Sequence, residues 1–203
     1  MESKHPIYCK IVLIGDSEVG KTAIISRYNS GCDTSTNGSS YASKILIFDE
    51  LDKKIYLNIW DTQGQGKYYP LKKFFYNEAS IAILIYDITL KQSFENIKNY
   101  WYPHLQEFAP KDIIIGVAGN NCHLYEKQEV DEYEAREFAD KIGGFFVLVS
   151  AKNNTGINKL FMTGVQKFVN KKFKAEIKLK EKYKKYACGK LGKLGKLGKY
   201  LRF

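Results

Sequence analysis

Apolar residues gather along the chain in short runs of the length of a buried β-strand. Four such runs are Tyr8–Ile14, Ile81–Tyr86, Ile113–Ala118 and Phe145–Ser150. The segments between them are long enough for crossover helices, and this alternation indicates a parallel sheet. Two further strand-like runs, Ser43–Phe48 and Lys54–Trp60, are joined by Asp49–Lys53, a polar connection of hairpin length. The pattern therefore predicts one antiparallel pair at the edge of the sheet.

Two later segments repeat apolar residues with the period of an amphipathic helix. Ala135, Phe138, Ala139 and Ile142 form one stripe, and Ile157, Leu160, Phe161, Val165, Phe168 and Val169 form a longer one. We expect each stripe to pack on the sheet as core rather than to hold a ligand. The chain is therefore predicted to be an α/β protein with helices flanking a mostly parallel sheet.

The first predicted strand leads directly into a glycine-rich loop. Residues Gly15-Asp16-Ser17-Glu18-Val19-Gly20-Lys21-Thr22 read G-x-x-x-x-G-K-T. In this pattern backbone N–H groups face phosphate oxygens, and the lysine and the hydroxyl complete the site. Helix-compatible residues follow, so a helix N-terminus would add further N–H groups and a favourable dipole. The order of strand, loop and helix predicts a phosphate-binding site that suits ATP or GTP.

Polar residues also follow the other predicted strands. Asp61 ends Lys54–Trp60, Asn120–His123 follow Ile113–Ala118, and Ser150-Ala151-Lys152 end the last run. Helix-flanked parallel sheets bind ligands at the carboxyl ends of their strands. We therefore expect these residues to lie at the same edge of the sheet as the glycine-rich loop.

The positive charge of the chain is concentrated near its C-terminal end. The 203 residues carry a net charge of +10, whereas residues 171–203 alone hold twelve Lys and one Arg against two Glu, a net charge of +11. The body is nearly neutral, so its charge gives no argument for nucleic-acid binding. The length and the 44% apolar content fit one domain with a tail.

The sequence favours a cytosolic location. No apolar run reaches the length of a membrane span, and the first residues do not form a signal peptide. The four cysteines lack metal-ligand spacing, so we expect them to be thiols in a reducing compartment.

Four segments of the chain resemble the motifs of one protein family. They are Trp60-Asp61-Thr62-Gln63-Gly64-Gln65, the switch-like segment Thr36 to Lys44, Tyr86-Asp87-Ile88-Thr89, and Ser150-Ala151-Lys152. Their order and spacing are similar to those of the Rab branch of Ras-like small GTPases, and of endosomal Rabs in particular. The resemblance implies the P-loop small-GTPase fold, with six strands, one of them an antiparallel edge strand, and five flanking helices. It also implies a GTPase domain at residues 8–171, after an extension at 1–7 and before a tail at 172–203.

The same resemblance implies a molecular switch in intracellular vesicle traffic that hydrolyses GTP to GDP and phosphate. Its partners would be guanine nucleotide, an exchange factor, a GTPase-activating protein and effectors. It would be a monomer, peripheral on the cytosolic face of endosomal or other vesicle membranes, and no nucleic-acid partner is expected. A P-loop ATPase or nucleotide kinase would leave Thr36, Asp61–Gln65 and Ser150–Lys152 unexplained.

Roles for single residues follow from the resemblance. Lys21 would neutralise the β- and γ-phosphates, Gly64 would donate its N–H to the γ-phosphate, and Gln65 would orient the attacking water. Mg²⁺ would be held by Thr22, Thr36 and Asp61. The base would be read by Asn120, Asn121, His123, Ser150, Ala151 and Lys152. The effector surface would be formed by Tyr41, Trp60 and Phe75, for which ordinary aromatic packing is the other interpretation.

The base-recognition motif departs from the family pattern. The family has N-K-x-D, whereas this chain has Asn120-Asn121-Cys122-His123. An aspartate would accept two hydrogen bonds from guanine, but a neutral imidazole offers one acceptor. Loss of such polar pairing costs on the order of 10⁴-fold in discrimination. A second hypothesis is therefore a degenerate, non-cycling nucleotide-binding scaffold that has lost guanine selectivity.

The switch segments and the tail also depart from the family pattern. Only fourteen residues separate Lys21 from Thr36, and Gln63 adds bulk beside Gln65, so slow hydrolysis is expected. The tail has no prenylation motif, since Cys188 lies fifteen residues before Phe203. Its Lys-Leu-Gly repeats suit contact with an anionic membrane, with Cys188 a candidate for palmitoylation. A solvated tail without function is the alternative.

Overall fold

The computed structural model describes residues 6–29, 41–62 and 75–180. The strands are β1 (Ile7–Ile14), β2 (Tyr41–Phe48), β3 (Lys53–Asp61), β4 (Ile81–Asp87), β5 (Ile114–Asn120) and β6 (Phe145–Leu148). The α-helices are α1 (Lys21–Asn29), α2 (Lys91–Asn96), α3 (Tyr102–Phe108), α4 (Glu132–Lys141) and α5 (Ile157–Lys172). Residues 174–180 are also helical.

The six strands form one sheet in the order β2-β3-β1-β4-β5-β6. All neighbouring pairs are parallel except β2 and β3, which form the predicted antiparallel pair at one edge. The prediction of an α/β fold with a mostly parallel sheet is therefore confirmed. β6 is shorter than the predicted run because Ser150 leaves the ladder and forms an isolated bridge with Thr155.

Apolar side chains pack on both faces of the central strands. One face of β1, β4 and β5 lies under α2, α3 and α4, in a cluster that includes Val12, Leu84, Val117, Phe94, Leu105, Ala135 and Ala139. On α1 and α5, the rings of Tyr28 and Phe161 lie 4.1 Å apart, and α5 passes close to β4 at Gly164. Both predicted helical stripes are thus core. Layers on both faces leave the strand ends as the place where polar side chains can collect.

A π turn interrupts the helical segment between α2 and α3. It spans Ile97–Trp101, and the N–H of Tyr102 donates to the carbonyl of Ile97, five residues earlier. π turns of this kind are often found at functional sites. It places Asn96 and Trp101 on the same side of the segment, where both contact Asp16.

The chain divides into two compact units. The first ends at Phe168 and contains the whole sheet, and the second begins at Val169 and contains the end of α5 and the helical residues 174–180. No helix in the described ranges is both long enough and apolar enough to cross a bilayer.

Candidate functional site

The loop between β1 and α1 is shaped by two glycines at positions where a Cβ would collide with β4 or β5. Gly15 has a φ of +149°, and a Cβ there would lie 2.1 Å from the carbonyl oxygen of Ile85. Gly20 has a φ of +93°, and its Cβ would lie 2.2 Å from Nδ2 of Asn120. The loop can therefore pack against β4 and β5 only because it carries no side chain at these positions.

Lys21 begins α1 and is buried under the loop, with 4% of its surface exposed. Its ammonium donates to the carbonyl oxygens of Gly15 and Asp16. Burial lowers the pKa of Lys21, while the nearby Asp61 and Asp16 carboxylates oppose that shift. A buried ammonium at the mouth of a pocket gains free energy when an anion binds beside it.

Thr22 and Asp61 form a hydroxyl–carboxylate pair beside Lys21. The Thr22 hydroxyl donates to Oδ2 of Asp61, which ends β3 and is 1% exposed. The pocket next to this pair has a volume of about 530 Å³ and is lined by Ser17, Glu18, Gly20, Lys21, Thr22, Ala23 and Asp61. Most of the predicted phosphate-binding residues therefore surround one cavity.

The oxygen atoms of this pair suit Mg²⁺, which proteins bind with one or two carboxylates together with phosphate oxygens and water. In the described ranges, no cluster of three or more His, Cys, Asp or Glu side chains offers an all-protein metal site. Thr22 and Asp61 fit a Mg²⁺ ion whose other ligands would be phosphate oxygens and water.

The side chain of Asp16 faces the helical segment rather than the pocket. Its Oδ1 accepts from the indole N–H of Trp101 at 2.7 Å, and its Oδ2 accepts from Asn96 at 2.6 Å. These two bonds tie the glycine-rich loop to the π turn. Sequence reasoning missed Asn96 and Trp101, because their shared direction depends on the π turn.

Asn120 joins the end of β5 to the same loop. It is 2% exposed, and its Nδ2 donates to the carbonyl of Val19 at 2.9 Å. Its Oδ1 is buried and accepts from no group in the described part of the chain. The predicted base-reading segment therefore begins directly beside the phosphate loop.

Asn121 is held on β4. It adopts a left-handed backbone, with a φ of +64°, and its Nδ2 donates to Asp87 Oδ2 at 2.7 Å. The other oxygen of Asp87 accepts from the backbone N–H and the hydroxyl of Thr89. The Asn121 amide thus fixes the loop that follows β5. Sequence reasoning identified Asp87 and Thr89 only as part of a motif, without a role for either side chain.

The loop after β6 is tied to both sides of the site. Arg27 of α1 donates to the carbonyl oxygens of Ala151 at 2.8 Å and of Lys152 at 3.3 Å. Ser150 is fully buried, and its Oγ lies 2.9 Å from Nδ1 of His123. The Ser150–His123 bond therefore brings together predicted base-reading residues at the ends of β5 and β6. Arg27, which sequence reasoning did not identify, ties the loop after β6 to α1.

The three predicted effector-surface aromatics lie next to one another. The Tyr41 and Trp60 ring centroids are 4.9 Å apart, and those of Trp60 and Phe75 are 6.4 Å apart. Lys10 lies over the Trp60 ring at 5.6 Å. The remaining predicted site residues, Thr36, Gly64 and Gln65, and the tail from residue 181 onward lie outside the described residues.

A parallel sheet whose first loop buries a lysine beside a hydroxyl–carboxylate pair defines a P-loop nucleotide-binding protein. The profile of the Ras family matches residues 10–170. Human Ras-related protein Rab-22A is 38% identical over 158 residues, which are 75% of this chain and 79% of that protein. Ras-related protein Rab11A of Lotus japonicus is 38% identical over 170 residues, 80% of this chain and 74% of that protein. Rat Ras-related protein Rab-31 is 37% identical over 157 residues, 75% of this chain and 78% of that protein.

The chain therefore belongs to the Ras family. It is a small GTPase of the Rab branch, a GTP-binding molecular switch.

Proposed function

We propose that the protein is a Rab-like switch in vesicle traffic that binds GTP together with Mg²⁺ and hydrolyses it slowly. The observation that carries the proposal is the Thr22–Asp61 pair beside the buried ammonium of Lys21. Thr22 and Asp61 would hold Mg²⁺, and Lys21 would face the phosphates. When bound, Mg²⁺ neutralises the charge of the phosphate oxygens. Thr36 would join this set in the triphosphate state, by resemblance to the family.

The reaction in this proposal is the attack of water on the γ-phosphate. Lys21 would stabilise the charge of the phosphate oxygens, and backbone N–H groups of the loop that Gly15 and Gly20 shape would donate to them. Gln65 would orient the water, and Gly64 would donate to the γ-phosphate. Gln63 replaces the alanine of the family motif near Gln65 in the sequence, and its extra bulk is the reason for expecting a slow rate.

Removal of the Asp61 charge is expected to weaken the binding of Mg²⁺. Asp61→Asn keeps the size of the side chain but loses a charged ligand, so we expect GTP hydrolysis at limiting Mg²⁺ to fall about 10- to 100-fold. Single-turnover hydrolysis across a Mg²⁺ titration measures the effect. Asp49→Asn removes the same charge at an exposed position in the β2–β3 turn and serves as the control. Equal Mg²⁺ curves for the two variants would refute the metal role of Asp61.

The switch would reach its partners through the aromatic surface of Tyr41, Trp60 and Phe75. Their rings are neighbours. β2, which begins at Tyr41, contains the end of the first switch segment, and β3, which carries Trp60, leads into the second. Effectors, an exchange factor and a GTPase-activating protein are the proposed partners of a monomeric protein. The relatives named Rab-22A and Rab-31 support a place in membrane traffic, and we propose the cytosolic face of endosomal or other vesicle membranes.

The domain limits stay a proposal: a GTPase domain at 8–171, between an extension at 1–7 and a basic tail at 172–203. We propose that the tail binds anionic membranes through its lysines, since each near-surface charge contributes about 1 kcal/mol. Deletion of residues 189–203 should abolish binding to phosphatidylserine vesicles at low salt. Undiminished binding of the truncated protein would show that residues 189–203 are not the contact.

The second candidate function is a non-cycling scaffold that holds nucleotide without selecting guanine. It is favoured by one observation, the histidine at position 123 bonded to Ser150 in place of a carboxylate. A protein that binds GTP, but shows no hydrolysis above the buffer rate, would support the scaffold over the switch.

A further inference from the structure

The hydrogen bond between Ser150 and His123 has a defined direction. The Ser150 side chain is fully buried, and in the described part of the chain its Oγ has two partners, the N–H of Asn153 at 3.1 Å and Nδ1 of His123 at 2.9 Å. A backbone N–H only donates, so Oγ accepts from Asn153. The hydroxyl proton also needs an acceptor, because a buried polar hydrogen without one is costly. Nδ1 of His123 is that acceptor.

This direction fixes the tautomer of the imidazole. In a neutral histidine one ring nitrogen accepts and the other carries the proton. Since Nδ1 of His123 accepts from Ser150, Nε2 carries the proton and can only donate. His123 is half-buried rather than enclosed in the core. The site therefore presents an N–H where the family pattern has a carboxylate that only accepts.

His123 belongs to the same edge of the sheet as the phosphate loop. It lies three residues after Asn120, whose side chain bonds to Val19 of that loop and keeps a buried acceptor oxygen without a partner in the described ranges. The loop that carries Ser150 is bound by Arg27 of the helix that begins at the phosphate site. A nucleotide with its phosphates at Lys21 therefore has its base beside this pair of loops, which is where the proposed function places it.

We propose that His123 makes the site prefer a purine with an oxygen at C2, that is xanthine, over guanine. Guanine presents its N1–H and its 2-amino group, both donors, to the Nε2–H donor of His123. Xanthine presents the C2 oxygen, which accepts that proton, and it keeps the C6 oxygen for a backbone N–H of the Ser150–Lys152 loop. Adenine lacks both oxygens. The proposal rests on the proposed function, because it requires a nucleotide at Lys21.

Equilibrium titration of the nucleotide-free full-length protein with XDP, GDP and ADP tests the proposal. With Mg²⁺ present, we expect XDP to bind about 10- to 100-fold more tightly than GDP. ADP should bind more weakly than XDP. His123→Asp restores an acceptor and should invert the preference in favour of GDP. Ser150→Ala removes the hydroxyl that fixes the tautomer, so the ratio of XDP to GDP affinity should fall toward one.

Tyr125→Phe changes an exposed residue of the same turn and should leave the XDP to GDP ratio unchanged. GDP affinity equal to or above XDP affinity in the wild-type protein overturns the proposal, while the proposed function survives because nucleotide is bound. Failure of all three diphosphates to bind overturns both. The wild-type comparison needs no variant, so a misfolded His123→Asp protein does not affect this test.

Discussion

Replacing Lys21 with Met is expected to remove tight nucleotide binding and to leave the fold intact. The Lys21 ammonium is buried and donates to two loop carbonyls, so it is positioned before any ligand arrives. A phosphate bound beside Lys21 would form a buried charge pair with its ammonium. Removing one partner of a buried charge pair costs about 2–5 kcal/mol, which is roughly a 30- to several thousand-fold increase in Kd. Titration of GDP with Mg²⁺ into the nucleotide-free variant measures this loss.

In contrast to nucleotide affinity, the stability of the nucleotide-free protein should increase in the Lys21→Met variant. Burial lowers the pKa of Lys21 below 10.5, so the unfolded chain binds the proton more tightly than the folded one. Folding therefore carries a penalty at neutral pH, which is relieved as the pH rises from the lowered folded pKa toward 10.5. Lys21→Met lacks this penalty, so its stability advantage should shrink over that pH range.

Lys10→Met is the matched control for Lys21→Met. Burial also lowers the pKa of Lys10, but its ammonium donates to the carbonyl of Asn77 and lies over the Trp60 ring, away from the pocket. Its Kd for GDP should stay within about twofold of the wild-type value. A Lys21→Met protein that binds GDP as tightly as the Lys10→Met protein would contradict the assignment of Lys21.

Gly156→Ala is expected to be the more damaging of two glycine substitutions that share one backbone conformation. Gly156 has a φ of +69° and Gly143 a φ of +68°, so an alanine costs each about 1 kcal/mol in backbone strain. A Cβ at Gly156 would lie 2.3 Å from the carbonyl oxygen of Leu148, whereas at Gly143 no described atom lies within 4 Å. The clash adds about 1–3 kcal/mol at Gly156, since backbone must move.

Thermal unfolding compares the two alanine variants directly. At about 2–4 °C per kcal/mol for a chain of this size, we expect Gly143→Ala to lower Tm by about 3 °C and Gly156→Ala by about 10 °C. Gly156 directly follows the Ser150–Thr155 bridge, so the loop that carries Ser150 should shift too. Equal losses for both variants would show that the contact with Leu148 relaxes at no cost.

The strands and the phosphate loop could be predicted from the sequence because each depends on local pattern. The runs that became β1 and β4 are apolar at nearly every position, and strands buried on both faces require this composition. The loop motif fixes its own geometry through Gly15 and Gly20, so its position between β1 and α1 followed from residue order alone.

The hydrogen bonds between distant loops could not be predicted from local pattern. The bond from His123 to Ser150 spans 27 positions and the one from Asn121 to Asp87 spans 34. No periodicity encodes such contacts, since they depend on how loops meet at the sheet edge. The sequence showed that a carboxylate is missing at position 123, but the proton on Nε2 follows only from the buried surroundings of Ser150.

The π turn is the other feature that local pattern did not show. The segment from Lys91 to Phe108 resembles continuous helix in its apolar spacing, yet Asn96 and Trp101 reach the same carboxylate five positions apart. In a regular α-helix residues at that spacing point in different directions. The contact with Asp16 became visible only with the fold.

The pocket at Lys21, Thr22 and Asp61 is proposed to hold the phosphates of a nucleotide with Mg²⁺. The most direct measurement is the nucleotide content of the protein purified under native conditions, released by denaturation and quantified by chromatography. We expect about one purine nucleotide per chain, retained with Mg²⁺ and lost on chelation. A protein that carries none, and takes up none from millimolar GTP with Mg²⁺, would contradict it.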